Sequence, residues 1–230
     1  MFLIGKARKH FTVATDPVSI ANNDGVADGV NASLTPLSDI ADAFEELAPV
    51  VDSDYLQLST FCHACSYVSV LFGCLGLAFK FAELEYVAKV RNLTEASSRF
   101  TTLHDILDLD VANNTVKVHG SYSRNLRRVR LGLDLIRALF EQFLTSDHYC
   151  LREAASTAYA EVCAPYHTWT VRTAVSAGMY ALPTREQLLI KLNETEQSAE
   201  MKMRRYIKAS IPVISYIDNL YFSRNITLDW

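Results

Sequence analysis

Apolar residues recur along this chain with the spacing of helices. From about residue 38 onward, stretches with apolar positions three or four residues apart follow one another almost to the last residue. In the first stretch, Ile40, Ala43, Phe44 and Leu47 form one apolar stripe behind Ser38-Asp39, which can cap a helix. We predict further helices near residues 94–110, 120–146, 150–163, 166–180, 184–192 and 194–222.

Glycine and proline are scarce, which also favours helices. The chain has 8 glycines and 6 prolines in 230 residues, and long stretches contain neither. A chain of this length, with 50% hydrophobic residues, is long enough for one well-buried core. The pattern therefore predicts a single all-α domain.

The first 36 residues lack this helical pattern. They contain the turn-forming sequences Asn22-Asn23-Asp24-Gly25 and Asp28-Gly29. We interpret 1–36 as a flexible leader in front of a folded domain over 37–230. Because only a few apolar residues precede Lys6, we expect neither a secretory signal nor organelle targeting, and we expect a cytoplasmic protein.

The stretch from Leu56 to Phe79 contains no Lys, Arg, Asp or Glu and is long enough to cross a bilayer. Polar residues such as Gln57 and His63 lie within it, and no second comparable segment follows. We therefore favour a central buried helix over a membrane span. Since the apolar period persists after Lys80, we expect this helix to continue through Lys89.

Charge and cysteine content limit the classes of ligand. A net charge of −4 argues against nucleic-acid binding, so any anion site must be local. Five cysteines, an odd number, indicate a reducing compartment. Cys62-His63-Ala64-Cys65 looks like half of a zinc site, but no second pair stands at a suitable distance, and we predict neither a metal nor a cofactor.

Four arginines between residues 124 and 130 are the most informative charged cluster. Arg124 and Arg128 are four residues apart on a predicted helix, so their guanidinium groups share a face and could bind one phosphate. We expect Arg127 and Arg130 to be solvated or paired with acids. Taken alone, all four are equally compatible with ordinary surface charge.

Two further polar groups gain meaning only beside those arginines. Glu85 and Lys89 have the spacing of a surface ion pair, but Lys89 could add a third positive charge and Glu85 could accept hydrogen bonds from a lipid amide and hydroxyl. His167 and Trp169 could supply a hydrogen bond and a side chain suited to a membrane boundary, or simply pack. The chain contains no catalytic motif that we recognise, and we predict that it is not an enzyme.

Motifs along the chain resemble the glycolipid transfer protein superfamily, most closely its plant accelerated-cell-death branch, which carries ceramide-1-phosphate. They span roughly 38 to 230, in order. The motifs are Phe72-Gly73-Cys74-Leu75-Gly76, Lys80-Phe81-Ala82-Glu83, Tyr86-Val87-Ala88-Lys89, Ser123-Arg124-Asn125-Leu126, Gly132-Leu133-Asp134, Leu139-Phe140-Glu141-Gln142, Gly178-Met179-Tyr180-Ala181-Leu182-Pro183-Thr184-Arg185, Asp218-Asn219-Leu220 and Asp229-Trp230.

This resemblance implies a two-layer sandwich of about eight helices, with lipid chains between the layers. Lys89, Arg124 and Arg128 match the family's phosphate-binding cations, and His167 matches the histidine that contacts the ceramide amide. Trp169 matches a position near the membrane-facing surface. Arg128 stands where sugar-carrying members have a tryptophan that stacks on the sugar, which favours a phosphate headgroup.

One position departs from the family pattern. Glu85 stands where the family has Asp, so its carboxylate extends one methylene farther from the backbone.

From the resemblance as a whole, we expect a monomeric sphingolipid carrier that touches membranes transiently, with ceramide-1-phosphate as ligand. A sphingolipid sensor acting through protein partners, or a carrier of a glycosylated sphingolipid, remains an alternative.

Overall fold

The computed structural model describes residues 35–53, 55–76, 79–145 and 150–230, and nearly all of the predicted leader lies outside these ranges. The described residues form nine α-helices and, apart from an isolated bridge between Gln57 and Thr102, no β-structure. This confirms the all-α prediction. The helices are α1 Pro36–Leu47, α2 Leu58–Cys74, α3 Lys80–Ala96, α4 Leu103–Ala112, α5 Tyr122–Thr145, α6 Leu151–Val162, α7 Trp169–Gly178, α8 Arg185–Leu192 and α9 Glu196–Phe222.

Helix α1 begins slightly earlier than predicted. Thr35, not Ser38-Asp39, is the N-cap, and its hydroxyl accepts a hydrogen bond from the Ser38 amide at 3.3 Å. Pro36 fits the first helical position, where its missing N–H leaves no bond unmade. Thr35 also binds Glu194 and Lys202, which joins the start of α1 to the start of α9.

The prediction of one continuous helix from Leu56 to Lys89 is wrong. Helix α2 ends at Cys74, and Gly76 adopts a φ of +96°, a conformation that stops a helix and that glycine alone adopts readily. Helix α3 then runs back along α2, where the Tyr86 hydroxyl donates to the Cys65 carbonyl oxygen at 3.1 Å. In the described ranges, no helix has both the length and the hydropathy needed to cross a membrane.

Helix α5 is the centre of the packing. It contacts α3, α4, α6 and α9, while α1 packs against α2 and α9. The apolar face of α5 is buried along its length, from Leu126 to Phe143. Glu85 and Lys89 lie on the second and third turns of α3, and Arg124 and Arg128 lie on the first two turns of α5. The two pairs are therefore on helices that contact each other.

The Cys62-His63-Ala64-Cys65 segment lies within α2. Both cysteines are buried, whereas His63 is exposed and its Nε2 lies 3.3 Å from the Tyr67 hydroxyl. The three side chains thus do not converge. Within the part of the chain that the structure describes, no group of three or more His, Cys, Asp or Glu residues is placed to hold a metal ion.

Candidate anion-binding site

Helix α3 carries the predicted acid and lysine on adjacent turns. The Lys89 ammonium lies 3.0 Å from a carboxylate oxygen of Glu85. The two side chains differ in exposure, at 20% for Lys89 and 76% for Glu85. Lys89 is thus held near the protein body by a carboxylate that faces water.

Helix α5 carries Arg124 and Arg128, both half-buried. The Nη1 group of Arg124 donates to the backbone oxygen of Lys117 at 2.6 Å. Among the described residues, Arg128 has neither a hydrogen-bond partner nor an ion-pair partner. Burial lowers the pKa of Arg128, the positive charges of Arg124 and Arg127 lower it further, and Glu85 partly offsets them. Arg128 is therefore a cation whose surroundings favour the arrival of a negative charge.

His167 stands at the edge of the same cluster. Its Nδ1 lies 2.9 Å from the Tyr159 hydroxyl, and burial together with the charge of Arg128 lowers the pKa of the imidazole below 6.5. The lowered pKa favours the neutral form of the imidazole. With the Tyr159 hydroxyl as donor to Nδ1, Nε2 carries the proton and can donate it to a ligand.

The structure brings together all five predicted headgroup residues. Lys89 contacts Glu85, and the charges of Glu85 and Arg124 both act on Arg128. The charge of Arg128 acts in turn on His167. In the described ranges the three cations form a single ion pair, that of Lys89 with Glu85. The cluster therefore has an excess of positive charge, which suits a phosphate monoester of charge about −1.5 to −2.

The neighbouring arginines behave differently from each other. Arg127 was expected to be solvated or paired with an acid, and this is wrong. It is 2% exposed, its guanidinium lies 4.8 Å from the centre of the Tyr166 ring, and its Nη2 donates to the Leu228 carbonyl oxygen at 3.2 Å. The expected pairing of Arg130 is confirmed, since its guanidinium binds Asp134 and Asp218.

Trp169 is the first residue of α7, two residues after His167. It is 73% exposed, an unusual state for so large an apolar side chain. The indole thus stands in solvent at the start of α7. Its role as a membrane contact stays a prediction.

A small apolar cavity of about 20 Å³ adjoins this cluster through Tyr159. Its lining is formed by Phe72, Leu75, Phe79, Leu135, Ile136, Leu139, Ala155, Tyr159 and Met179. Tyr159 joins the two regions, because its ring lines the cavity and its hydroxyl meets His167. The cavity has room for about one water molecule, so helices must separate before hydrocarbon chains can enter.

Sequence reasoning missed two contributors to the site. Tyr159 lies on α6 and is separated from His167 by a turn, so helical spacing gives no sign that they meet. Lys117 acts through its backbone carbonyl, which any residue type could provide. Neither contact leaves a signal in the pattern of side-chain types.

Comparisons with known proteins identify the family of this chain. The family model for glycolipid transfer protein matches residues 56–194. The ACD11 homolog protein of Arabidopsis thaliana is 66% identical to the chain, over 85% of it and 89% of the relative. Accelerated cell death 11 (ACD11) of the same plant is 48% identical, over 85% of the chain and 96% of the relative.

Solved structures give the same result for the fold. A mutant of Arabidopsis ACD11 in complex with C12 ceramide-1-phosphate matches with a TM-score of 0.83 and 47% identity, over 86% of this chain and all of that one. Human ceramide-1-phosphate transfer protein in complex with 12:0 ceramide-1-phosphate matches with a TM-score of 0.71 at 20% identity, over 81% and 95% of the two chains. These matches confirm the predicted two-layer helical sandwich.

Proposed function

Since the chain belongs to the glycolipid transfer protein family, we propose that it carries phosphorylated sphingolipids between membranes, with ceramide-1-phosphate as its preferred cargo. The observation that carries the proposal is the unbalanced positive charge of Lys89, Arg124 and Arg128, in a cluster that His167 and Tyr159 connect to an apolar cavity. A phosphate on two hydrocarbon chains has the matching division into a charged end and an apolar end. That Arabidopsis ACD11 has been crystallised with C12 ceramide-1-phosphate supports this choice of ligand.

Each residue of the cluster has a defined role in this proposal. Lys89, Arg124 and Arg128 bind the phosphate oxygens, and Arg128 gains most because the described residues offer it no other partner. Glu85 accepts hydrogen bonds from the amide and hydroxyl of the sphingoid base, and His167 donates from Nε2 to the ceramide amide oxygen. A sugar headgroup would leave the cations without a counter-charge, which opposes its binding.

The hydrocarbon chains provide affinity but little selectivity. About thirty buried methylenes at about 0.8 kcal/mol each favour leaving water by on the order of 25 kcal/mol, but a bilayer offers nearly the same gain. Exchange between membrane and protein is then close to balanced. The headgroup contacts decide which lipid is carried.

The carrier acts without a chemical step, as a monomer in the cytosol that touches membranes transiently. Binding and release break no covalent bond, so the cluster needs no nucleophile or catalytic base. Trp169, exposed at the start of α7, contacts the membrane surface during loading, because indole favours the boundary between water and hydrocarbon. The headgroup cluster then lies at the bilayer surface when the lipid passes from the membrane to the protein.

Vesicle exchange tests the proposal. The exchange of fluorescent ceramide-1-phosphate and of a fluorescent glycosylceramide between vesicles is measured side by side. The protein should accelerate exchange of ceramide-1-phosphate at least about tenfold more than exchange of the glycosylceramide, because one charge-assisted hydrogen bond contributes about this factor. Preference for the glycosylceramide contradicts the phosphate assignment. Binding without faster exchange replaces the carrier by a sphingolipid sensor, and release of inorganic phosphate from the cargo contradicts a non-enzymatic role.

A further inference from the structure

Gly132 continues the arginine face of α5. Arg124, Arg128 and Gly132 are spaced four residues apart on this helix, so all three lie along one side of it. Gly132 is buried, and its nearest neighbours belong to α2 and α3. A glycine inside a helix is less favourable than alanine by about 1 kcal/mol, so its presence at this position indicates a packing requirement.

The packing reason is the ring of Tyr86. A β-carbon at Gly132 would lie 2.6 Å from Cε2 and 2.7 Å from Cδ2 of this ring. Carbon atoms make favourable contact at about 3.5–4.0 Å, so a side chain here would force a movement of about 1 Å. Gly132 thus permits the observed close approach of α3 to α5.

The Tyr86 ring has little freedom to move aside. It is 5% exposed, its hydroxyl donates to the Cys65 carbonyl oxygen, and its centroid lies 5.2 Å from that of Phe72. A β-carbon on α5 would therefore push α3 itself rather than a flexible side chain.

Tyr86 directly follows Glu85 and lies one turn before Lys89. A displacement of α3 at Tyr86 therefore moves both residues relative to the arginines of α5. The electrostatic effect of Glu85 on Arg128 indicates that these charged turns face each other across the gap between the helices.

We propose that Gly132 is a positioning residue for phosphate recognition. Through the Tyr86 ring, it sets the distance between Lys89 on α3 and the two arginines on α5, and one phosphate bridges that distance. The proposal rests on the proposed function, because it requires a phosphate ligand at this cluster.

The test is Gly132→Ala, assayed with C8 ceramide-1-phosphate and with C8 ceramide, which differ only in the phosphate. We expect affinity for ceramide-1-phosphate to fall at least about tenfold more than affinity for ceramide, as one charge-assisted bond is lost. Gly73→Ala on α2 is the matched control, since its β-carbon would lie 3.7 Å from the nearest atom, an ordinary contact. It should leave both affinities unchanged.

Removing the Tyr86 ring tests whether Gly132→Ala alters phosphate preference through this ring. In the double variant Gly132→Ala with Tyr86→Leu, α3 can return to its place, and the ratio of the two affinities should recover to within about threefold of the wild-type ratio. If Gly132→Ala alone does not fold, this double variant carries the test. A double variant that folds but shows no phosphate preference overturns the role of Tyr86.

The wild-type protein separates the two proposals. If it does not distinguish ceramide-1-phosphate from ceramide, the proposed function fails. If it does distinguish them, and a folded Gly132→Ala keeps the wild-type ratio, only the positioning role of Gly132 is overturned.

Discussion

Helix α5 contains two groups of arginines with opposite electrostatic surroundings. Arg130 and Arg137 bind Asp134, Asp218 and Glu141 at 2.5–2.7 Å. Although burial lowers the pKa of Arg130, its hydrogen bonds and the charges of Asp218 and Asp134 raise it overall. The same helix thus holds arginines whose charge is fully matched within the protein.

The other group, Arg124 and Arg128, lies one to two turns earlier and forms no ion pair with any described residue. Burial and neighbouring positive charge lower the pKa of Arg128. Arg130 joins α5 to α9 through Asp218, and Arg137 pairs with Asp134 and Glu141 within α5. The two groups thus differ in counter-charge within the protein, and from this difference we predict that Arg124 and Arg128, and not Arg130 and Arg137, bind phosphate.

We expect the largest effect on lipid transfer when a charge in the unmatched group is reversed. Arg128→Glu removes a phosphate contact and adds repulsion, so ceramide-1-phosphate exchange should fall at least about 1,000-fold. Circular dichroism should be unchanged, because Arg128 makes no bond to a described residue. Arg91→Glu, at an exposed position of α3, is the control and should transfer normally. Retained exchange in Arg128→Glu would remove this residue from the site.

The matched group should show the reverse behaviour. Arg130→Gln leaves Asp218, which is 20% exposed, without its cation, and Asp134, which is 13% exposed, with Arg137 as its remaining partner. We expect the free energy of unfolding in urea to fall by about 2–3 kcal/mol. Arg204→Gln, which breaks an exposed pair with Glu200, should change it by less than about 0.5 kcal/mol. Equal losses in the two variants would contradict the distinction.

A smaller effect should appear in the titration of His167. Because the charge of Arg128 helps to lower the pKa of this imidazole, Arg128→Gln should raise it, as measured by NMR. In the wild type, stability should decline as pH falls through 6.5 toward the folded pKa, since the unfolded state takes up the proton first. The decline should be weaker in the variant. An unchanged pKa would place His167 outside the reach of Arg128.

The smallest effect concerns Glu85. Its carboxylate is 76% exposed, so Glu85→Asp shortens a side chain with room to adjust. We expect exchange of ceramide-1-phosphate within about threefold of wild type or faster, because acceptor chemistry is kept. Glu85→Gln is the companion variant that keeps length and removes charge. A clear loss in Glu85→Asp would show that the site is adapted to the longer side chain.

The sequence predicted the helices best where periodicity was long and uninterrupted. The ranges predicted for α5, α6, α8 and α9 agree with the structure to within about two residues, since each has one buried stripe and a clear break at its ends. The prediction failed between α2 and α3, where apolar residues continue past the end of α2 and Gly76 adopts a positive φ. Periodicity cannot detect such a turn.

For the site, spacing predicted which charged residues share a face but not what surrounds them. Arg124 and Arg128 were paired correctly, whereas the burial of Arg127 against Tyr166 depends on residues far away in sequence. The roles of Tyr159 and Gly132 likewise arise from contacts between helices. Tertiary packing decides these points.

A thermodynamic cycle between one arginine and the ligand phosphate tests the central claim most directly. Affinities of the wild-type protein and Arg128→Gln are measured for C8 ceramide-1-phosphate and C8 ceramide. We predict a coupling energy of about 1.5–3 kcal/mol, with nearly all of the loss confined to the phosphorylated lipid. Equal losses for both lipids, or none, would contradict the assignment of the unmatched cations to the phosphate.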